Sequence, residues 1–117
     1  MHPGGSLGFR LEWPSRSMAY ITDTTAKVDA DYVESIRGVD LLVHEAYFAK
    51  DVNNIPANTG HSSLMKVAEV AASASVGRLV LAHIDPLIDD DSAFDLVAAR
   101  RVFAKTEMGV DGMECQF

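Results

Sequence analysis

Three short apolar runs in this chain each end in a residue able to bind a metal or move a proton, and no other feature constrains the fold as much. Met18-Ala19-Tyr20-Ile21-Thr22 stops at Asp23, Leu41-Leu42-Val43-His44 at Glu45, and Leu79-Val80-Leu81-Ala82 at His83. Runs of β-branched, aromatic and aliphatic residues of this length have strand character. In an α/β sheet, chemistry collects where strands emerge at their carboxyl ends. A lone aspartate after a strand equally well starts a loop or caps a helix, so the repetition carries more than Asp23 does alone.

Read in order, the chain predicts an alternation of strands and helices. His2-Pro3-Gly4-Gly5-Ser6 has turn chemistry, and Leu7 to Trp13 alternates apolar and polar residues as a half-exposed strand does. Pro14-Ser15-Arg16-Ser17 turns it into the strand leading to Asp23, which predicts an antiparallel hairpin. A short helix is expected from Asp29 as N-cap through Arg37, ended by Gly38, with Tyr32, Val33 and Ile36 on its apolar face. Leu41 to His44 is apolar enough for a central parallel strand. Ala46 to Gly60 shows no regular period, and loops of that length are usually functional. After it, Leu64, Val67, Ala68 and Ala71 recur at helical spacing behind a serine N-cap, with Gly77 closing the segment. Ser92 and Asp95 resemble a capping box for a last helix with Leu96, Ala99 and Phe103 inward, and Met113 to Phe117 reads as a closing strand. The fold class is therefore α/β, one domain over residues 1–117 with a mixed sheet and covering helices.

Charge excludes some functions. Ten lysines and arginines stand against seventeen acids, for a net charge of −7, and the basic residues are scattered. Affinity for nucleic acid rests on clustered cations that displace counterions, so nucleic-acid binding by this chain alone is not expected. No apolar run is long enough to cross a bilayer and no signal-peptide pattern precedes Leu7, which predicts a soluble, cytoplasmic protein. The single cysteine, Cys115, reads as a small core residue.

Of the four histidines, His2, His61 and His83 stand at turns or strand ends, where a shared crevice can receive them. His44 lies inside its strand, and the two-residue period points it away from the face of Glu45, so its reading is structural. One aspartate and two histidines at the ends of different elements make a ligand set suited to zinc or manganese. A carboxylate bridges two metals more readily than an imidazole, which marks Asp23 as a candidate shared ligand. Glu45 and His61 form a second pair, the carboxylate orienting the imidazole for donation to a leaving oxygen.

These residues also carry a family resemblance. His2 followed by Leu-Gly-Phe-Arg, then Ile-Thr-Asp-Thr, Val-His-Glu-Ala, Gly-His-Ser-Ser and Leu-Ala-His-Ile-Asp-Pro, in that order, resemble the metallo-β-lactamase-fold hydrolases of the ribonuclease Z and phosphodiesterase branch. The resemblance implies two divalent metal ions, zinc or alternatively manganese, with His2 on one, His83 on the other and Asp23 between them. It implies that Glu45 and His61 contact phosphate and protonate the leaving group.

The family's His-x-His-x-Asp-His motif is absent from these 117 residues. The expectation is accordingly the C-terminal half of an αββα sandwich, with Met1 an internal or truncated start and one histidine plus the shared aspartate for each metal. The inner face of such a half is bare, which predicts a homo-oligomer or a partner carrying the missing half. A single hairpin joins His2 to Asp23 where transfer-RNA-processing members carry a gripping arm, so the resemblance points to a small phosphodiester substrate. Two other readings stay open: a non-catalytic remnant acting as a binding module, and a hydrolase of another ester class, such as a thioester or lactone.

Overall fold

The computed structural model describes residues 5–49, 59–85 and 95–117. Five strands form one mixed sheet in sequential order: β1 (Gly8–Trp13), β2 (Arg16–Ile21), β3 (Leu41–Glu45), β4 (Leu79–Ala82) and β5 (Thr106–Met108). β1 and β2 are the antiparallel hairpin, with Phe9 opposite Tyr20 and Leu11 opposite Met18. Every later pairing is parallel. Among the described residues, three helices lie in the crossovers: α1 (Tyr32–Ile36), α2 (Leu64–Ser73) and α3 (Leu96–Val102). Among the described residues no helix is long and apolar enough to cross a membrane.

Register explains which side is covered. Ala19 pairs Leu42, Leu42 pairs Leu79, and His44 pairs both Ile21 and Leu81, so these side chains share one face. That face forms a single core with Val33 and Ile36 of α1, Leu64, Val67, Ala68 and Ala71 of α2, and Ala99 of α3. Burial on this scale, at about 25 cal/mol per Å² of apolar surface, holds the helices to the sheet. The junction between α2 and β3 is tight. Gly38 and Gly77 donate to the carbonyls of Ala74 and Val39, and a Cβ on Gly77 would lie 2.6 Å from the Asp40 carbonyl oxygen.

The opposite face presents Phe9, Leu11, Trp13, Tyr20, Val43 and Val80. Phe9 is 56% exposed and Tyr20 42%. β1 is exposed along its whole length, so its alternation does not bury the apolar side.

Several expectations need correction. Residues 113–117 are not a strand; the closing strand is the three-residue β5. After the turn at Asp111 and Gly112, the tail runs back over the bare face. Arg78 Nη1 donates to the Gln116 carbonyl at 3.0 Å, and the rings of Phe117 and Trp13 meet edge to face at 5.9 Å. Apolar residues here pack across the sheet instead of pairing along its edge. Cys115 is correspondingly half-buried at the rim of a cavity of about 690 Å³, outside the core cluster.

The first helix is also shorter than expected, starting from Asp31 without a side-chain cap. In α3, Asp95 is the N-cap and accepts from the Ala98 amide at 2.9 Å; Ser92 lies outside the described residues. Finally, the loop after Glu45 is not wholly irregular, because Phe48 and Ser63 form a parallel bridge. Residues 50–58 of that loop lie outside the described residues.

Candidate functional site

The carboxyl ends of β2, β3 and β4 lie side by side, and the residues that follow them meet at that edge. Asp23 comes just after β2, Glu45 is the last residue of β3, His83 is the first after β4, and His61 precedes α2. One potential ligand atom from each of these four residues lies within 4.8 Å of the others. His2 is outside the described residues.

Glu45 is fully buried, and among the described residues it makes no ion pair with a lysine or arginine. Its charge is met by donors instead. The Thr24 amide donates to Oε1 at 2.7 Å, the Ser62 amide to Oε2 at 2.9 Å, and His61 Nδ1 lies 3.2 Å from both oxygens. Buried carboxylates persist only when hydrogen-bonded in this way. Ser62 completes the latch: its Oγ donates to the Thr24 carbonyl at 2.6 Å and accepts from the Ala26 amide at 2.8 Å. One buried carboxylate thereby ties the loop after Asp23 to the segment bearing His61.

These contacts separate the roles of the two carboxylates. Three donors take up most of the lone-pair capacity of Glu45, which makes it an orienting group. Because an ionised carboxylate only accepts, the proton of His61 shared with it resides on Nδ1, which leaves Nε2 as the ring nitrogen not engaged by Glu45.

Asp23 is built differently. Its Oδ1 stands 3.5 Å from His83 Nδ1, with both side chains partly exposed. Two ligand atoms on a tetrahedral cation at bond lengths of about 2.0–2.1 Å sit about 3.3 Å apart, so this spacing fits joint ligation. Both residues have left-handed backbones, with φ 54° at Asp23 and 50° at His83. Non-glycine residues in that region cost about 1–3 kcal/mol and cluster where function fixes the geometry.

His44 points to the helix side. Its Nδ1 lies 2.8 Å from the Glu45 carbonyl oxygen and its Nε2 2.8 Å from the Tyr32 hydroxyl. The carbonyl can only accept, so Nδ1 carries the proton and Tyr32 donates to Nε2. Burial lowers the His44 pKa to about 4, and burial followed by the nearby Glu45 charge raises that of Tyr32. His44 is therefore a neutral prop beneath Glu45.

Sequence reasoning missed Thr24, Ser62 and Tyr47. Tyr47 stacks on His61 with centroids 4.5 Å apart. The two hydroxyl residues adjoin motif positions, which was the available signal; an aromatic two places beyond Glu45 gave none.

A family profile described as "Beta-lactamase superfamily domain" matches residues 1–84. Ribonuclease Z of Cytophaga hutchinsonii is 38% identical over 98 residues, covering 84% of this chain and 30% of that protein. Ribonuclease Z of Geobacillus kaustophilus is 41% identical over 80 residues, covering 68% and 26%. The chain spans about a third of the length of the curated relatives it matches. In fold it is similar to the metallo-beta-lactamase fold protein YhfI from Bacillus subtilis, with a TM-score of 0.80 and 23% identity over 97% of this chain and 45% of that one. It is also similar to a diphosphatase from the PhnP family, with a TM-score of 0.61 and 18% identity over 93% and 46%.

Proposed function

The chain belongs to the beta-lactamase superfamily, and from that premise we propose that residues 1–117 form the C-terminal half of a metal-dependent hydrolase of small phosphodiesters. The observation that carries this reading is one compact cluster containing two different devices. Asp23 and His83 are spaced as ligands, while Glu45 and His61 are hydrogen-bonded as an orienting carboxylate and its imidazole.

The donor set of carboxylate and imidazole suits zinc or manganese. Asp23 and His83 would hold the cations, with His2 and a segment bearing His-x-His-x-Asp-His supplying further ligands. When bound, such a pair supplies an activated water and neutralises charge on the phosphoryl group. The chain's own residues do the rest. Glu45 holds Nδ1 of His61 in place, so that Nε2 is the nitrogen available for donation to the leaving oxygen. The strained turns at Asp23 and His83 keep both side chains aimed at one place before substrate arrives.

The name of the curated relatives, ribonuclease Z, supports phosphodiester chemistry. The net charge of −7 and the short hairpin before Asp23 favour a small diester over transfer RNA. The test is hydrolysis of bis(p-nitrophenyl) phosphate by the complete protein with zinc or manganese, together with metal analysis. About two equivalents of metal and turnover abolished in Asp23→Ala are expected. Turnover unchanged in that variant, or none with any divalent cation, rejects the proposal, and a metal-free folded protein favours a binding module.

A further inference from the structure

We infer that Tyr47 is a positioning residue for both imidazoles of the site, its ring face holding His61 against Glu45 and its ring edge fixing the plane of His83. The Tyr47 and His61 rings are stacked, 4.5 Å between centroids and 19° between planes. Tyr47 meets His83 edge to face at 5.8 Å and 85°, and the two imidazoles are perpendicular at 5.2 Å. Three rings thus form a box beside the Asp23 carboxylate.

A hydrogen bond alone leaves the imidazole underdetermined. At 3.2 Å to both oxygens of Glu45, the Nδ1 contact is long for a charge-assisted bond. It aims Nδ1 at the carboxylate but by itself leaves some rotation of the ring plane. A flat ring on one face removes that rotation. A stacked aromatic pair is worth about 2- to 10-fold in population.

Tyr47 can do this because its own peptide is tied on both sides. The amides of Ala46 and Asp85 donate to the carbonyls of Ala82 and Tyr47, lacing residues 46 and 47 to the exit of β4 around His83. The Phe48 amide donates to the Ser62 carbonyl and the Leu64 amide to the Phe48 carbonyl, lacing residue 48 to the entry of α2. Phe48 closes the far side, edge to face with Tyr47 at 5.1 Å. The Tyr47 ring is therefore set relative to both histidines by backbone bonds that need no metal.

The consequence for turnover rests on the phosphodiesterase reading above; the geometry does not. In the wild-type chain, NMR of histidine-labelled protein should show His61 ring protons shifted upfield by the Tyr47 ring current and close enough to it for cross-relaxation. Tyr47→Phe should keep both signatures and Tyr47→Leu should lose them. In the complete protein Tyr47→Leu should lower kcat about tenfold with KM little changed, and Tyr47→Phe should restore it. Unshifted His61 protons with no contact to Tyr47 in wild type overturn the inference even if Tyr47→Leu does not fold, as does an active Tyr47→Leu enzyme with undiminished kcat. Absence of turnover in wild type rejects the hydrolase reading, while the NMR signatures still decide the role of Tyr47.

Discussion

Asp23 and His83 leave neighbouring regions of the sheet in the same left-handed backbone conformation, and their side chains meet 3.5 Å apart. β2 and β4 are not paired with each other, since β3 runs between them. A turn with positive φ after each strand swings both side chains over the end of the intervening one, where Glu45 sits. The site thus combines strained turns at Asp23 and His83 with a buried carboxylate held by three donors.

Strain of this kind is measurable. Asp23→Ala and Asp23→Gly both remove the carboxylate, but only alanine keeps a Cβ at φ 54°. Asp23→Gly should be about 1 kcal/mol more stable than Asp23→Ala in denaturant unfolding. If Asp23 ligates metal as proposed, the parent should bind zinc in titration calorimetry and both variants should bind it more weakly. Equal unfolding midpoints would mean that the turn relaxes.

The latch on Glu45 makes a sharper demand. Glu45→Gln preserves shape, yet its two terminal atoms must still meet the separate amides of Thr24 and Ser62. One amide donor then faces an NH₂ group, which should cost about 1–3 kcal/mol. Thermal melts should register the loss, and unchanged stability would show that the loops rearrange.

His44 gives a pH dependence with a definite sign. Its folded pKa is about 4, below the ordinary 6.5, so the unfolded chain binds the proton first. The contribution to stability is intact above pH 6.5, falls by about 3 kcal/mol as pH drops to 4, and is flat below. His44→Gln should be less stable at pH 7 but should lose stability less steeply across that interval. Parallel curves for the two proteins would reject the assignment.

The exposed strip on β1 and β2 predicts association. Phe9, Leu11, Trp13 and Tyr20 are all at least 42% exposed on one face, and contiguous apolar surface of this kind seeks cover. We propose a second copy, or the other half of the sandwich proposed above, as the cover. Sedimentation at micromolar concentration should show more than a monomer, and Phe9→Lys with Leu11→Lys should shift it toward one. A well-folded wild-type monomer would count against this.

Much of the fold was legible because its signals are local. The apolar runs gave β2, β3 and β4, and residues 64, 67, 68 and 71 gave α2, since side-chain period is a property of the chain itself. β5 was missed because Thr106-Glu107-Met108 is too short to show a period. The tail from Met113 to Phe117 misled for the opposite reason: its apolar residues look like a strand whether they pair an edge or cross a sheet.

By itself the sequence determined the order of donor residues and their placement at strand ends, because both follow from residue type and spacing. Only the tertiary structure decided what those donors can do. Glutamate and aspartate carry the same group. Parallel register and the loops around it, not composition, surround Glu45 with donors from Thr24, Ser62 and His61 while bringing Asp23 and His83 to 3.5 Å from each other. That difference depends on which backbone amides reach each carboxylate, and such contacts arise between segments far apart in the chain.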